Sequence, residues 1–445
     1  MELQLVETYG TEMLQTVRKV LSMELEDGTE ESVINLYPDI TYQTMEGFGG
    51  AITDAAGFVF AQMNERQQKE FLHRYFGKEQ MNYRMVRMHM DSCDFSTHIY
   101  SADQDEEDAD LSNFCFADTE RYMIPLLRAA EKEFGAKLPI MLSPWSPPPF
   151  MKSNGQRKNG GKLKKEYYGR YAEYICRYIK EFRDRGFVVN RLSVQNEPKA
   201  VQKWDSCVYS AEEEKTFLRD YLYPALISHG MDDLEIFIWD HNKERVFERA
   251  SAIIDETTDK MITGAAFHWY SGDHFDALRL IKEKFPGKKL ILSESCLEFC
   301  KFEREDEIKN AAKLAHDMMG NLNHGMNSFY DWNILLDEKG GPNHVSGFCD
   351  APFLYHQDTR ELEERKILRY YWHFSHFIKA GAVRIASSCY TSDLEVTAWK
   401  NPDGGIAFIL LNRTGKELPF VLRLRGHMIK GCVKPFSISS SILTR

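Results

Sequence analysis

At 445 residues the chain is long enough for two or three ordinary domains, or equally for one barrel of about 250 residues or more, and its 43% apolar and 28% charged content is that of a soluble globular protein with a large core. Its 56 basic against 67 acidic side chains leave a net charge of −11, which excludes attraction of the whole chain to nucleic acid or to an anionic membrane. No apolar run approaches the roughly 18–20 residues of a membrane-spanning helix, so no transmembrane segment is expected.

In chain order, the opening MELQLVETYG has neither the basic start nor the apolar stretch of a cleaved secretion signal. A cytoplasmic location is therefore expected, with export by a route that uses no cleaved signal left open. Residues 1–45 carry short β-like pieces, SVINLYP and DITYQTM. From Gly47 onward, apolar β-runs alternate with helical stretches: GFGGAIT from 47, YRMVRMHM from 83, LPIMLSPW from 138, NRLSVQN from 190, LEIFIWD from 234, GAAFHWY from 264, KLILSES from 289 and NSFYDWNI from 327. Helical spacing appears between them in ERQQKEFLHRYF, RYMIPLLRAAEKEF, EYYGRYAEYICRYIKEF, AEEEKTFLRDYLYPALI and EIKNAAKLAHDMM. Runs with little polar alternation indicate strands buried on both faces, as in a parallel sheet. Eight such β-then-α units predict an α/β protein built on a closed (β/α)8 barrel over residues 46–382. No GxGxxG follows the first strand, so a dinucleotide fold lacks its phosphate loop. Beyond residue 383, LEVTAWKNPDGGIAFILLNRT gives two β-runs joined by a turn, and LPFVLRLR alternates. Residues 1–45 and 383–445 are expected to form one small antiparallel β-sandwich contributed by both termini.

The nine cysteines are an odd, scattered set, which favours free thiols in a reducing compartment. The CxxxC pair Cys296 and Cys300 has no second pair to complete a zinc site, so no metal is expected there and the two read as buried thiols. Aromatic residues make up 13% of the chain, and many stand beside Glu, Asp, Asn or His. Walls of that kind suit a ligand with one apolar face and a rim of hydroxyls, which describes a sugar ring.

In a (β/α)8 barrel the reacting side chains project from the C-terminal strand ends. Polar residues fall there in register: Asp91 to Asp94, Ser143-Pro-Trp145, Gln195-Asn196-Glu197, Trp239-Asp240-His241-Asn242, His268-Trp269-Tyr270, Ser293-Glu294-Ser295 and Asp331-Trp332-Asn333. Glu197 and Glu294 stand out, because Glu is a poor turn residue and each closes an apolar β-run. Alone, each is explained by a rim salt bridge. Together, across the mouth of one barrel, they supply the two carboxylates that glycoside hydrolysis needs. Trp145, Trp269 and Trp332 offer apolar faces for a pyranose, and Asp94 and Asn196 offer directional hydrogen bonds.

These motifs resemble glycoside hydrolase family 30. The resemblance rests on Glu46-Gly-Phe-Gly-Gly-Ala-Ile-Thr-Asp54, Arg87 through Asp94-Phe-Ser96, Ser143-Pro-Trp-Ser-Pro-Pro148, Gln195-Asn-Glu-Pro198, His268-Trp-Tyr270 and Asp331-Trp-Asn333, spans about residues 42–380, and is nearest the glucosylceramidase-like branch and its bacterial relatives. It implies a barrel with a sandwich from both termini and a retaining β-glucosidase or glucosylceramidase without cofactor or metal. It makes Glu197 the acid/base and Glu294 the nucleophile. Asp94 and Trp145 match positions that hold sugar hydroxyls, Asn196 one at the 2-hydroxyl, Trp332 a wall of the glucose pocket, Tyr270 a partner of the nucleophile, and His268 and Arg87 supporting positions. Family members often carry Trp where this chain has His344, a departure expected to bear on the aglycone.

A β-1,6-glucanase or β-xylosidase would use the same machinery, and so would an enzyme of plain aryl glucosides. A catalytically silent sugar-binding protein and a metal-dependent hydrolase built on Asp240 and His241 are the readings from other classes. The expected partner is a β-glycoside, either a simple glucoside or a glycolipid; a glycolipid needs an apolar rim, for which Phe150, Met151 and the segment 343–354 are candidates. The sequence gives no sign of the oligomeric state.

Overall fold

The computed structural model describes residues 2–10 and 13–443. Three strands come first: β1 (Glu2–Tyr9), β2 (Gln15–Leu25) and β3 (Val33–Thr44). Eight parallel strands follow: β4 (Gly47–Ala51), β5 (Met85–Met90), β6 (Ile140–Pro144), β7 (Val189–Ser193), β8 (Glu235–Asn242), β9 (Gly264–His268), β10 (Lys289–Glu294) and β11 (Ser328–Asp331). Each lies on one of the eight β-runs. β11 pairs with β4 from Ser328–Gly47 to Asp331–Gly50, which closes the barrel.

Helices return the chain after every strand. α1 (Asp54–Gln62) and α2 (Glu65–Phe76) follow β4, α3 (Ala117–Phe134) follows β5, and α4 (Tyr168–Asp184) follows β6. After β7, α5 (Ala211–Phe217) and α6 (Tyr223–Ser228) are joined through a π-helical turn. α7 (Val246–Ile253), α8 (Phe275–Lys284), α9 (Glu307–Asn323) and α10 (Lys366–Phe377) complete the ring. The last connection also holds a three-stranded sheet of β12 (Leu336–Asp337), β13 (Phe353–His356) and β14 (Glu361–Glu364).

Inside the barrel, Met85, Met141, Phe237, Ala266, Ile291 and Tyr330 pack as one layer, so the interior is filled and a ligand can enter only at the ends. At Gly49 even a Cβ would stand 2.2 Å from the Met85 carbonyl oxygen, which explains a glycine in a strand interior.

The tail forms β15 (Val383–Cys389), β16 (Leu394–Lys400), β17 (Ile406–Asn412), β18 (Leu418–Leu424), β19 (His427–Val433) and β20 (Ser437–Leu443). With β1–β3 these strands make a nine-stranded sandwich whose hydrogen bonding runs in the closed order β1-β2-β19-β18-β3-β15-β16-β17-β20. Both termini thus enter one β layer system, and β1 pairs directly with β20. It is not wholly antiparallel: β18 runs parallel to β3 at Val421–Arg423. These two strands come from opposite ends of the chain, so no tight turn fixes their relative direction. The sandwich has its own apolar core and packs against α9 and α10. There His373 of α10 bonds Thr8 Oγ1 (2.8 Å) and Ser440 Oγ (2.7 Å), tying both terminal strands to a barrel helix, and burial holds its imidazole down at about 3.

Candidate active site

The C-terminal strand ends meet in a cavity of about 280 Å³. Glu294 is the last residue of β10 and His268 the last of β9. Glu197 lies past the end of β7, where the chain is stitched down on both sides: Asn196 N–H donates to the Pro144 carbonyl (2.9 Å) and Glu197 N–H to the Asp240 carbonyl (2.9 Å). That second bond joins two residues in the left-handed backbone region, Glu197 at φ 47° and Asp240 at φ 46°, with Trp239 beside them at φ 74°. Each such non-glycine residue costs about 1–3 kcal/mol and persists only where surrounding contacts over-determine it.

Arg87 and Asp240, both wholly buried, organise the floor. Arg87 donates to Glu294 Oε2 (2.7 Å), Asn196 Oδ1 (2.7 Å), Asp240 Oδ2 (3.0 Å) and Ser143 Oγ (3.2 Å). Asp240 also takes the Ser293 hydroxyl (2.5 Å) and lies 3.1 Å from His268 Nε2. The other ring nitrogen of His268 is 3.3 Å from Glu197 Oε1 and 3.9 Å from Glu294 Oε1. Tyr270 donates its hydroxyl to Glu294 Oε1 (3.0 Å). One oxygen each of Glu197 and Glu294 and a His268 nitrogen all lie within 4.8 Å of one another.

Burial opposes charge on each of these groups, and their neighbours decide the outcome. Arg87 and His268 hold Asp240 far below the usual carboxylate range. Against its own burial, His268 is raised to about 9 by the charge of Glu294 and its bonds to Asp240 and Glu197. Burial would raise Glu197, but the His268 bond and neighbouring His241 hold it at about 2. Glu294 stays raised, since burial outweighs His268 and Arg87. The imidazolium biases the pair: the charge leans to Glu197 rather than to Glu294, and His268 holds the shared proton. Arg87, His268 and Asp240 together carry one net positive charge, so one carboxylate between the two Glu residues balances the cluster.

Of the expected residues, Asp94, Trp145, Asn196, Glu197, Tyr270, Glu294 and Trp332 all line the cavity. Trp145 and Trp332 stack at 5.3 Å and 17°. Burial and the charges of Glu294, Asp205 and Glu197 raise Asp94 well above its ordinary value. Arg87 and His268 stand behind the wall rather than in it. Trp269 does not face this cavity: its indole N–H donates to the Cys296 carbonyl (2.8 Å) and its ring stacks on Phe302 (5.7 Å).

His344 is also turned away from the entrance. Its Nε2 is 3.4 Å from buried Asp205 and its backbone N–H donates to the Asp94 carbonyl (3.1 Å), so the departure from Trp bears on the support of Asp94. Of the candidates for an apolar rim, Phe348 lines the cavity and Phe150 packs on Tyr167 (5.6 Å). Met151 is buried, and Phe353 and Leu354 belong to β13, where Phe353 packs on Phe71 and Tyr75. Cys296 is buried as expected, whereas Cys300 is exposed.

Sequence reasoning did not assign Asp240 its central place; its register at the end of β8 was the available signal. It named His241 (3.7 Å from Glu197) only for a metal-dependent hydrolase, and it gave no sugar-site role to Asn343, whose amide donates to Asp94 (3.3 Å), or to the wall residues Gln202 and Trp204.

Residues 45–378 match the glycosyl hydrolase family 30 TIM-barrel domain and residues 381–441 the family's β-sandwich domain. The lysosomal acid glucosylceramidase of Mus musculus is 27% identical over 92% of this chain and 84% of its own length. An endo-1,6-β-D-glucanase of Neurospora crassa is also 27% identical, over 94% of this chain and 89% of its own. The crystal structure of SrfJ from Salmonella typhimurium superposes with a TM-score of 0.96 and 36% identity, covering all of both chains.

Proposed function

The chain belongs to glycosyl hydrolase family 30 and is a glycosidase acting on a carbohydrate, and from that premise we propose that it is a retaining β-glucosidase with Glu294 as nucleophile and Glu197 as acid/base. The observation that carries this reading is that an oxygen of Glu197 and an oxygen of Glu294 lie within 4.8 Å of each other. Retaining enzymes hold their carboxyls about 5–5.5 Å apart, whereas inverting ones need about 6.5–9.5 Å to admit a water.

Arg87 and Tyr270 fix the Glu294 carboxylate for attack on the anomeric carbon. As the leaving oxygen departs it takes the proton that Glu197 has drawn from His268 across their 3.3 Å contact, so Glu197 is left as a carboxylate and His268 neutral. The covalent glycosyl ester is then opened by a water that Glu197 deprotonates, and two inversions return the β configuration. Esterification also removes the charge of Glu294, which had raised His268. The imidazole left neutral by the first step is then less inclined to regain a proton, so Glu197 and His268 can accept the one that the water gives up.

Asn196, held by Arg87, reaches the position where a 2-hydroxyl bond strengthens in the transition state. The stacked Trp145 and Trp332 give the ring its apolar wall. The relatives named for glucosylceramide and for β-1,6-glucan support glucose as that ring. Glu197, His268 and Glu294 also form a set that could ligate a metal, but Arg87 and the imidazolium already supply the positive charge the two carboxylates need.

The test is proton NMR of the first product from an aryl β-glucoside. β-Glucose is expected to appear first and mutarotate later, with Glu294→Gln reducing kcat by about 10³ or more. α-Glucose first, or wild-type turnover in Glu294→Gln, overturns the reading.

A further inference from the structure

A second cavity, of about 410 Å³, adjoins the catalytic one; the two share Tyr270, Glu298 and Lys301 in their walls. It runs along α9 to the sandwich, which contributes Arg413. Its aromatic wall is the Trp269–Phe302 stack (5.7 Å, 20°), with the Lys313 ammonium 5.0 Å over the Phe302 ring. The rest is ionic. Lys301 pairs with Glu298, His316 lies 3.2 Å from Asp273, and Arg413 and His316 share Glu395, each at 2.7 Å.

We propose that this trough is the aglycone site and that its occupant is a further sugar residue rather than a lipid chain, an inference that rests on the retaining β-glucosidase reading above. An acyl or sphingoid tail lying here would strip water from the charged side chains and return no hydrogen bonds, which is costly. A hydroxyl-rich ring replaces that water with hydrogen bonds to Lys, Asp, Glu and Arg and packs its C–H face beside the Trp269–Phe302 stack. Along the segments expected to carry a lipid, Met151, Phe353 and Leu354 are buried, and the one aromatic ring that reaches the catalytic cavity is that of Phe348. The sandwich thereby becomes part of the substrate site through Arg413, and Phe302 and Lys313 become the residues that select the aglycone.

The experiment compares kcat/KM for three substrates. β-Glucosyl fluoride, whose aglycone is one atom, reports the catalytic cavity alone. β-Linked glucose di- and trisaccharides of each linkage report the trough, and glucosylceramide in mixed micelles reports the lipid alternative. At least one saccharide is expected to exceed glucosylceramide. In Phe302→Ala and, separately, Lys313→Ala the ratio of kcat/KM on that saccharide to that on the fluoride is expected to fall at least tenfold. Lys313 is exposed on α9, so its variant reports even where Phe302→Ala fails to fold. Preference for glucosylceramide, or an unchanged ratio in Lys313→Ala, overturns the proposal and leaves the β-glucosidase reading standing. A folded wild type that is inert on the fluoride overturns that reading and the proposal with it.

Discussion

His268 touches three carboxylates at once, Asp240 at 3.1 Å, Glu197 at 3.3 Å and Glu294 at 3.9 Å, and this explains both its raised value, about 9, and the depressed value, about 2, of Glu197. On the proposed mechanism, the acid proton of the first step is a property of the His268–Glu197 pair. The basic limb of kcat/KM for an aryl β-glucoside is therefore expected near pH 9, where the pair loses its proton, and the acid limb above the ordinary carboxylate range, where raised Glu294 gains one. In His268→Gln the proton must sit on Glu197 alone, with no imidazolium to retain it. The basic limb should then move to lower pH and kcat fall about 10²–10³, less for a leaving group that needs no acid. A basic limb that stays in place in His268→Gln would remove the imidazole from the proton inventory. The sequence placed His268 at a strand end but not its charge, which arises from residues on three other strand ends.

The elements around the site trade local comfort for position. Glu197, Trp239 and Asp240 all hold positive φ, and so does Asn333 at 62°, beyond β11. Asn333 is secured by the hydroxyl of Thr53, which donates to its Oδ1 (2.9 Å) and caps α1 by accepting from Ala56 N–H (3.1 Å). Thr53→Ala is expected to cost about 1–2 kcal/mol from the cap, with more from the buried amide oxygen left unpaired. The KM for a glucoside should also rise, because Trp332 adjoins Asn333. Urea denaturation with the kinetics checks both; an unchanged midpoint would show that the link carries no stability. The barrel strands were legible because they are buried on both faces and so stay apolar without alternation. α1 was not, since DAAGFVFAQ is buried on most sides and has no polar stripe to set a 3.6-residue period. Nor was β13, whose Phe353-Leu354-Tyr355 gives the same apolar signal whether it faces a core or a rim.

The two layer systems are joined where both chain ends meet α10, through His373 to Thr8 and Ser440. A neutral His373 held at about 3 binds no proton in the folded protein below the ordinary imidazole value, while the unfolded chain does. Stability from this group is thus complete above about pH 6.5 and should decline on acidification by about 1.4 kcal/mol per pH unit. Denaturation midpoints between pH 5 and 7 should show this slope, reduced in His373→Gln; equal slopes in both proteins would discard the linkage. Since β1 pairs with β20 and Thr8 bonds His373 of α10, removing residues 1–44 should lower the melting temperature of the whole chain. By itself the sequence determined the eight-strand barrel, the sandwich made from both ends and the two carboxylates, because each is written in periodicity or in residue types at strand ends. Only the tertiary structure decided the proton order, the central place of Asp240, the inward turn of His344 and the charged trough beside Trp269. All four depend on distances between side chains from different strands, and electrostatic coupling falls with distance in space, which spacing along the chain does not record.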